Sequence, residues 1–276
     1  MLKKYLIAII AVSITISLIL TFKYDLILFS CSYKKYPNER LNCLVPYFKH
    51  LTQKTSAENA INTAKQFQKD GIINDCHLAA HIIGAENLRK NNFDAGKSFA
   101  TCPMACIEGC YHGVMEEYMR KTGDTFDPGR LSKLCENISD NPLLKRQCIH
   151  GIGHGILRHN EIPLIEAIGL CQTFSDSFLK NTCLEGVFMQ NINNILLDDE
   201  QTFIKKIPDL CKSVESLNDK GLENQCVSAI GEGIMFYTGH DLDKSKKICL
   251  TLPVKNQKQC ILAAEAELKI NRSVLD

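Results

Sequence analysis

The sequence predicts an all-α fold: disulfide-stapled two-helix repeats forming a solenoid-like array, preceded by one N-terminal transmembrane helix. Three observations predict it. Cysteines recur with a small residue at a fixed offset, the stretches before them carry apolar residues at helical spacing, and the chain opens on an apolar run. No alternating β pattern extends beyond a few residues.

Residues 1–30 read as a membrane anchor or signal segment. Lys3 and Lys4 precede an apolar run from Tyr5 to Phe22, about 18 residues, which is the lower edge of a transmembrane span. No small-x-small cleavage site follows it. Leu28–Cys31, "LFSC", is a loose match to a lipoprotein signal, with bulky Phe29 against it, so a cleaved signal and a lipidated Cys31 stay open beside an uncleaved anchor. The span predicts the lipid bilayer as a partner and a membrane-anchored chain whose bulk is extracytoplasmic, periplasmic or extracellular. All 14 cysteines lie beyond it, which in such a compartment reads as a disulfide framework.

Residues 31–75 form a lead-in and first helix, and residues 76–276 a helical-hairpin repeat domain of about six units. The leading cysteines are Cys76, Cys106, Cys148, Cys183, Cys226 and Cys260, spaced 30 to 43 residues apart. Three positions after each stands Ala79, Gly109, Gly151, Gly186, Ala229 or Ala263, so another backbone passes close there. A second cysteine, Cys135, Cys171, Cys211 or Cys249, precedes four of them by 11 to 15 residues. Each unit then reads as a helix ending at a cysteine, a polar turn, and a helix starting at a cysteine. The expected pairs are Cys135–Cys148, Cys171–Cys183, Cys211–Cys226 and Cys249–Cys260, each worth about 3 kcal/mol to a hairpin with a thin core. Of the rest, Cys31 pairs with Cys43, Cys102 with Cys106 or Cys110, and Cys76 with what remains. The two-helix repeats resemble α-solenoids as a class, without the tetratricopeptide consensus residues.

The repeat also puts histidines in register. Counted from the leading cysteine, the second and sixth positions hold Glu108 and His112, then His150 and His154, then Glu185 and Met189. His77 and His81 stand one residue out of step. Residues four apart share a helix face, so His77, His81, Glu108, His112, His150, His154 and Glu185 form a ladder along stacked helices. Imidazole and carboxylate are ligands for zinc, iron or copper, and pairs at i and i+4 on facing helices build such sites. In Cys148–Leu157, "CIHGIGHGIL", the glycines let helices approach, and metal binding offsets their helix-weakening effect. Glu116 continues the His112 face as a further ligand. Glu108, Glu116 and Glu185 are the acid or base candidates should the site be catalytic. The competing readings are a hydrogen-bonded polar seam with glycines that serve packing alone, and an organic-ligand or non-covalent haem pocket. His50, His159 and His240 fall outside the ladder and read as surface.

"CPMACIEGC", Cys102–Cys110, places three cysteines four apart around Met104, soft ligands for Cu(I). Its CPxxC run is similar to the copper site of thioredoxin-fold copper chaperones, but that fold requires β-strands this sequence lacks. The plainer reading is a set of disulfide partners. No CxxCH haem-attachment run, nucleophile elbow, phosphate-binding glycine loop, dinucleotide fingerprint or HExxH occurs. With 32 basic and 31 acidic residues, no tryptophan and 7% aromatics, a nucleic-acid partner is not expected. Two functions follow: a membrane-anchored metalloprotein, enzyme or metal-handling, or an interaction scaffold for a protein partner whose ladder is structural.

Overall fold

The computed structural model describes residues 23–24, 26–122, 127–138, 140–159 and 162–275. A short helical lead-in at 26–32 is followed by α1 (Pro37–Lys54), α2 (Ala57–Lys69), α3 (His77–Lys90), α4 (Ala95–Ala100), α5 (Gly109–Thr122), α6 (Pro128–Ile138), α7 (Pro142–His159), α8 (Leu164–Gln172), α9 (Ser177–Asn193), α10 (Glu200–Lys206), α11 (Lys212–Glu215), α12 (Lys220–Thr238), α13 (Leu242–Cys249) and α14 (Val254–Leu275). Helix starts follow local chemistry. Ser56, Asp94, Asp176, Asp199, Asp219 and Asp241 each accept a backbone N–H of the first turn they precede. α12 stops at Gly239, whose φ of 68° suits a left-handed terminus.

The long helices α3, α5, α7, α9, α12 and α14 pack each on the next, and the shorter α2, α4, α6, α8, α11 and α13 each pack against one or two of them. The inner helices are buried nearly all round, because neighbours and the shorter helices leave no face to solvent. Disulfides join Cys135 to Cys148, Cys171 to Cys183, Cys211 to Cys226 and Cys249 to Cys260, tying a short helix end to an inner helix. Cys31 joins Cys43, Cys102 joins Cys110, and Cys76 joins Cys106 across 30 residues.

Two expectations are corrected. The solenoid-like array is a closed bundle in which the first unit meets the fifth and the link that follows it. The His77 ring stacks on Phe236 at 5.0 Å, His240 Nε2 lies 2.7 Å from Asp75 Oδ2, and the Asn74 amide donates to the Tyr237 carbonyl. The second correction concerns the membrane. Among the described residues no helix is long and apolar enough to cross one, so the expected N-terminal transmembrane helix is not supported. Even α14, with 22 residues, carries Lys255, Lys258, Glu265, Glu267 and Lys269. The run Tyr5–Phe22 lies outside the described residues. The signal-anchor, the bilayer as partner and the periplasmic or extracellular location depend on that span and are set aside with it.

Candidate metal centre

Three consecutive inner helices bring five histidines and one glutamate into the middle of the bundle. α3 supplies His77 and His81, α5 His112 and Glu116, and α7 His150 and His154, all buried. Glycines permit the approach. A Cβ on Gly113 would overlap the His81 carbonyl, and one on Gly151 would press on Met115. The ligand atoms of three groups lie within 4.8 Å of one another: His77, His81 and His112; His112, His150 and His154; and His81, Glu116 and His154.

The disulfides revise the register. Cys110 sits in α5 and is stapled to Cys102 just past the end of α4, as Cys148 is to Cys135. Counted from Cys110, the second and sixth positions hold His112 and Glu116, matching His150 and His154. Cys106 is the extra cysteine. It opens a left-handed turn in which Cys106, Ile107 and Glu108 have φ of 52°, 49° and 59°. That turn points the Cys106 carbonyl at His77. Glu108 therefore leaves the ladder, and Glu116 enters it.

Hydrogen bonds fix the tautomers. His77 Nδ1 donates to the Cys106 carbonyl at 3.1 Å, and His81 Nδ1 to Glu116 Oε1 at 2.6 Å. His154 Nδ1 donates to Gln190 Oε1 at 3.1 Å, the Gln190 amide being turned away to donate to Asn194. Gln147 gives its amide N–H to Glu108, so its oxygen faces His112 and takes the Nε2 proton at 2.9 Å. A carbonyl and an ionised carboxylate have no proton to give. In its neutral form each of these rings thus turns a lone pair inward: Nε2 of His77, His81 and His154, and Nδ1 of His112, which has no partner among the described residues. His77 Nε2 and His81 Nε2 are 3.0 Å apart, and His150 Nε2 and His154 Nε2 3.1 Å. Two nitrogens on one tetrahedral ion at 2.0–2.1 Å stand roughly 3.3 Å apart.

The electrostatics agree. Burial first, then neighbouring rings, lowers His77 to about 3, and burial leads the same downward shift in His112, His150 and His154. His77, His112, His150 and His154 are thereby held toward the neutral form, the form that ligates metal. Burial alone would raise Glu116, but His81 and Arg158 outweigh it and hold the carboxyl below its usual range. Arg158 binds Glu116 Oε2 at 2.7 Å, and His154 Nδ1 lies 3.7 Å from Oε1. Glu116 thus orients histidines from their outer side, as carboxylates do behind metal-bound imidazoles.

The remaining candidates lie further out. Glu185 is 42% exposed, paired with Arg146, and its Oε2 is 3.8 Å from His150 Nδ1, too long for a hydrogen bond. Glu108 reaches the core only through Gln147. Cys102, Cys106 and Cys110 are all in disulfides, which removes the Cu(I) reading of that run. His240 is not a surface residue: it is buried against Asp75, because the closed bundle brings residue 240 onto the start of α3. His50 is half-buried and stacked on Tyr24, and the His159 side chain lies outside the described residues. Sequence reading missed Gln147, Gln190 and Arg158. The signal for the two glutamines was a polar side chain inside a helix otherwise built for burial; both are at most 2% exposed.

His77, His112 and His150 line the floor of a cleft of about 540 Å³, while His81 and Glu116 face a second cleft of about 460 Å³ that holds Arg89, Arg120 and Arg158. No protein-family model, no curated protein and no solved structure matches this chain.

Proposed function

We propose that this chain is an all-α metal-binding protein whose histidine core holds a first-row transition-metal ion, with zinc, iron and copper the metals suited to imidazole. One observation carries the reading: the His77 and His81 Nε2 atoms face each other at 3.0 Å in a buried site, while both outer nitrogens are committed to oxygen acceptors. With both rings neutral, a cation between these nitrogens turns the repulsion of opposed lone pairs into coordination. His112 has one free nitrogen and so serves one ion, beside the His77–His81 pair or the His150–His154 pair. Glu116, Gln147 and Gln190 set the rings from behind. Glu108 and Glu185 stand outside, the first behind Gln147 and the second near His150.

The test is elemental analysis of the full chain, beside His77→Ala/His81→Ala and His150→Ala/His154→Ala variants, followed by titration of the metal-stripped protein with Co(II). The expected result is a stoichiometric transition metal, visible Co(II) bands of imidazole coordination, and loss of both in at least one double variant. A folded wild-type chain that carries no metal and gives no Co(II) bands overturns the proposal.

A second reading has its own support. Helix approach at Gly113 and at Gly153 against Gly186 needs no ion, and Gln147, Gln190 and the Cys106 carbonyl already satisfy one nitrogen on three of the rings. On that reading the ladder is a structural seam in an interaction scaffold. It requires the chain to melt at one temperature with or without chelator, whereas the metal reading requires chelation to lower it.

A further inference from the structure

The larger cleft has a character of its own. Glu108, Glu185, Glu232 and Glu267 converge on it from four different segments, against Arg146 as the lone lysine or arginine among its described lining. Arg146 is already paired with Glu185, and Glu108 is engaged by Gln147. Among the described residues Glu232 and Glu267 have no such neutralising partner. Glu267 is 4% exposed, and its Oε1 has no hydrogen-bond partner among the described residues. His150, at 7% exposed, leaves its Nδ1 unpartnered on the same cleft. Buried polar atoms in folded chains nearly always find partners, so these orphans mark a position that a ligand completes.

We infer that this cleft is a binding site for a small organic cation, a primary ammonium on a short apolar stem. Size favours a molecule over a bare ion: about 540 Å³ falls within the roughly 300–1,000 Å³ of small-molecule sites. The walls are mixed in the way such a ligand needs. An ammonium has three N–H donors and no acceptor, which complements carboxylate oxygens, while Met189 and Phe236 offer apolar surface to methylenes. Burial raises Glu232 and Glu267, and each is raised further by a neighbouring carboxylate, Glu185 for the first and Glu232 for the second. A cation seated among them relieves that repulsion. The inference stands on the cleft and does not require metal in the histidine core.

The test is calorimetric titration of the full chain with 1,5-diaminopentane, metal-stripped and metal-loaded, using pentane-1,5-diol as the uncharged counterpart. The expected result is one diamine per chain, with the diol weaker by roughly tenfold or more. The Glu232→Gln/Glu267→Gln variant, shown folded by circular dichroism, weakens diamine binding by a similar factor and leaves the core's Co(II) bands intact. Equal binding of diol and diamine overturns the inference, as does a variant that binds diamine like wild type. So does a divalent ion that displaces the diamine in the wild type and requires Glu232 and Glu267. The two sites fail separately: loss of metal tracks the histidine variants, loss of diamine the glutamate variant.

Discussion

Glu267 has a pH consequence of its own. Burial first, then Glu232, pushes its carboxyl up to about 8, and Glu232 is pushed up to about 7 by burial and Glu185. Both lie above the ordinary carboxyl value of 4.5, so the folded chain holds protons that the unfolded chain has released. Their contribution to stability is therefore fully present below pH 4.5 and is lost as pH rises through 7 to 8. Glu267→Gln keeps the shape and removes the charge. Its melting temperature should exceed wild type at a pH of about 8.5 and approach it at a pH of about 5. Thermal unfolding monitored by circular dichroism at both pH values checks this. A variant that is destabilised equally at both would mean that the Glu267 carboxylate is favourably held when ionised, against the environment described.

At the scale of elements, glycine content divides into two kinds that the sequence cannot tell apart. Gly113 sits in α5 where an added Cβ would overlap the His81 carbonyl of α3, whereas Gly169 sits exposed in α8 with nothing within 4 Å. Gly169→Ala should stabilise the chain by about 0.5–1 kcal/mol, the ordinary helix preference for alanine. Gly113→Ala should destabilise it by about 1–3 kcal/mol, since one backbone must move away from the other. Denaturant unfolding of both variants measures the contrast, and equal effects would show that the α3–α5 contact is looser than described. The cysteine register has a similar ambiguity. "CPMACIEGC" offers Cys106 and Cys110 four apart, and helical periodicity accepts either as the leading cysteine. What decides is the left-handed turn at Cys106–Glu108. It uses no glycine and includes a β-branched isoleucine, residues that ordinarily avoid that region, so no local signal announces it. The short-loop cysteine spacing and the i, i+4 histidine pairs were legible because both are local. The roles of Glu108 and Glu116 were not, because they follow from that turn.

At the scale of the whole molecule, the repeat unit was readable and its closure was not. Small residues at a fixed offset say that neighbouring helices touch, but not what angle accumulates over six of them. The contacts that close the bundle join residues more than 160 positions apart: Asn74 to Tyr237 and Asp75 to His240. Asp75 matters doubly, because its Oδ1 also accepts the backbone N–H of His77, the first ligand-bearing residue of α3. Closure thus bears directly on the histidine core, and His77 itself rests on Phe236 of α12. An open array would confine a lesion at residue 240 to its last units, since each repeat would touch only its neighbours. The closed bundle predicts otherwise. His240→Ala leaves the buried Asp75 carboxylate short of a partner and should cost roughly 1–3 kcal/mol, felt at both ends of the chain. Native-state hydrogen exchange should show protection falling together in α3 and α12, and Asp75→Asn in the same background should recover part of the loss by removing the unpaired charge. Protection lost in α12–α14 with α3 unchanged would mean that the ends do not hold one another, and that the histidine core is built by its three helices alone.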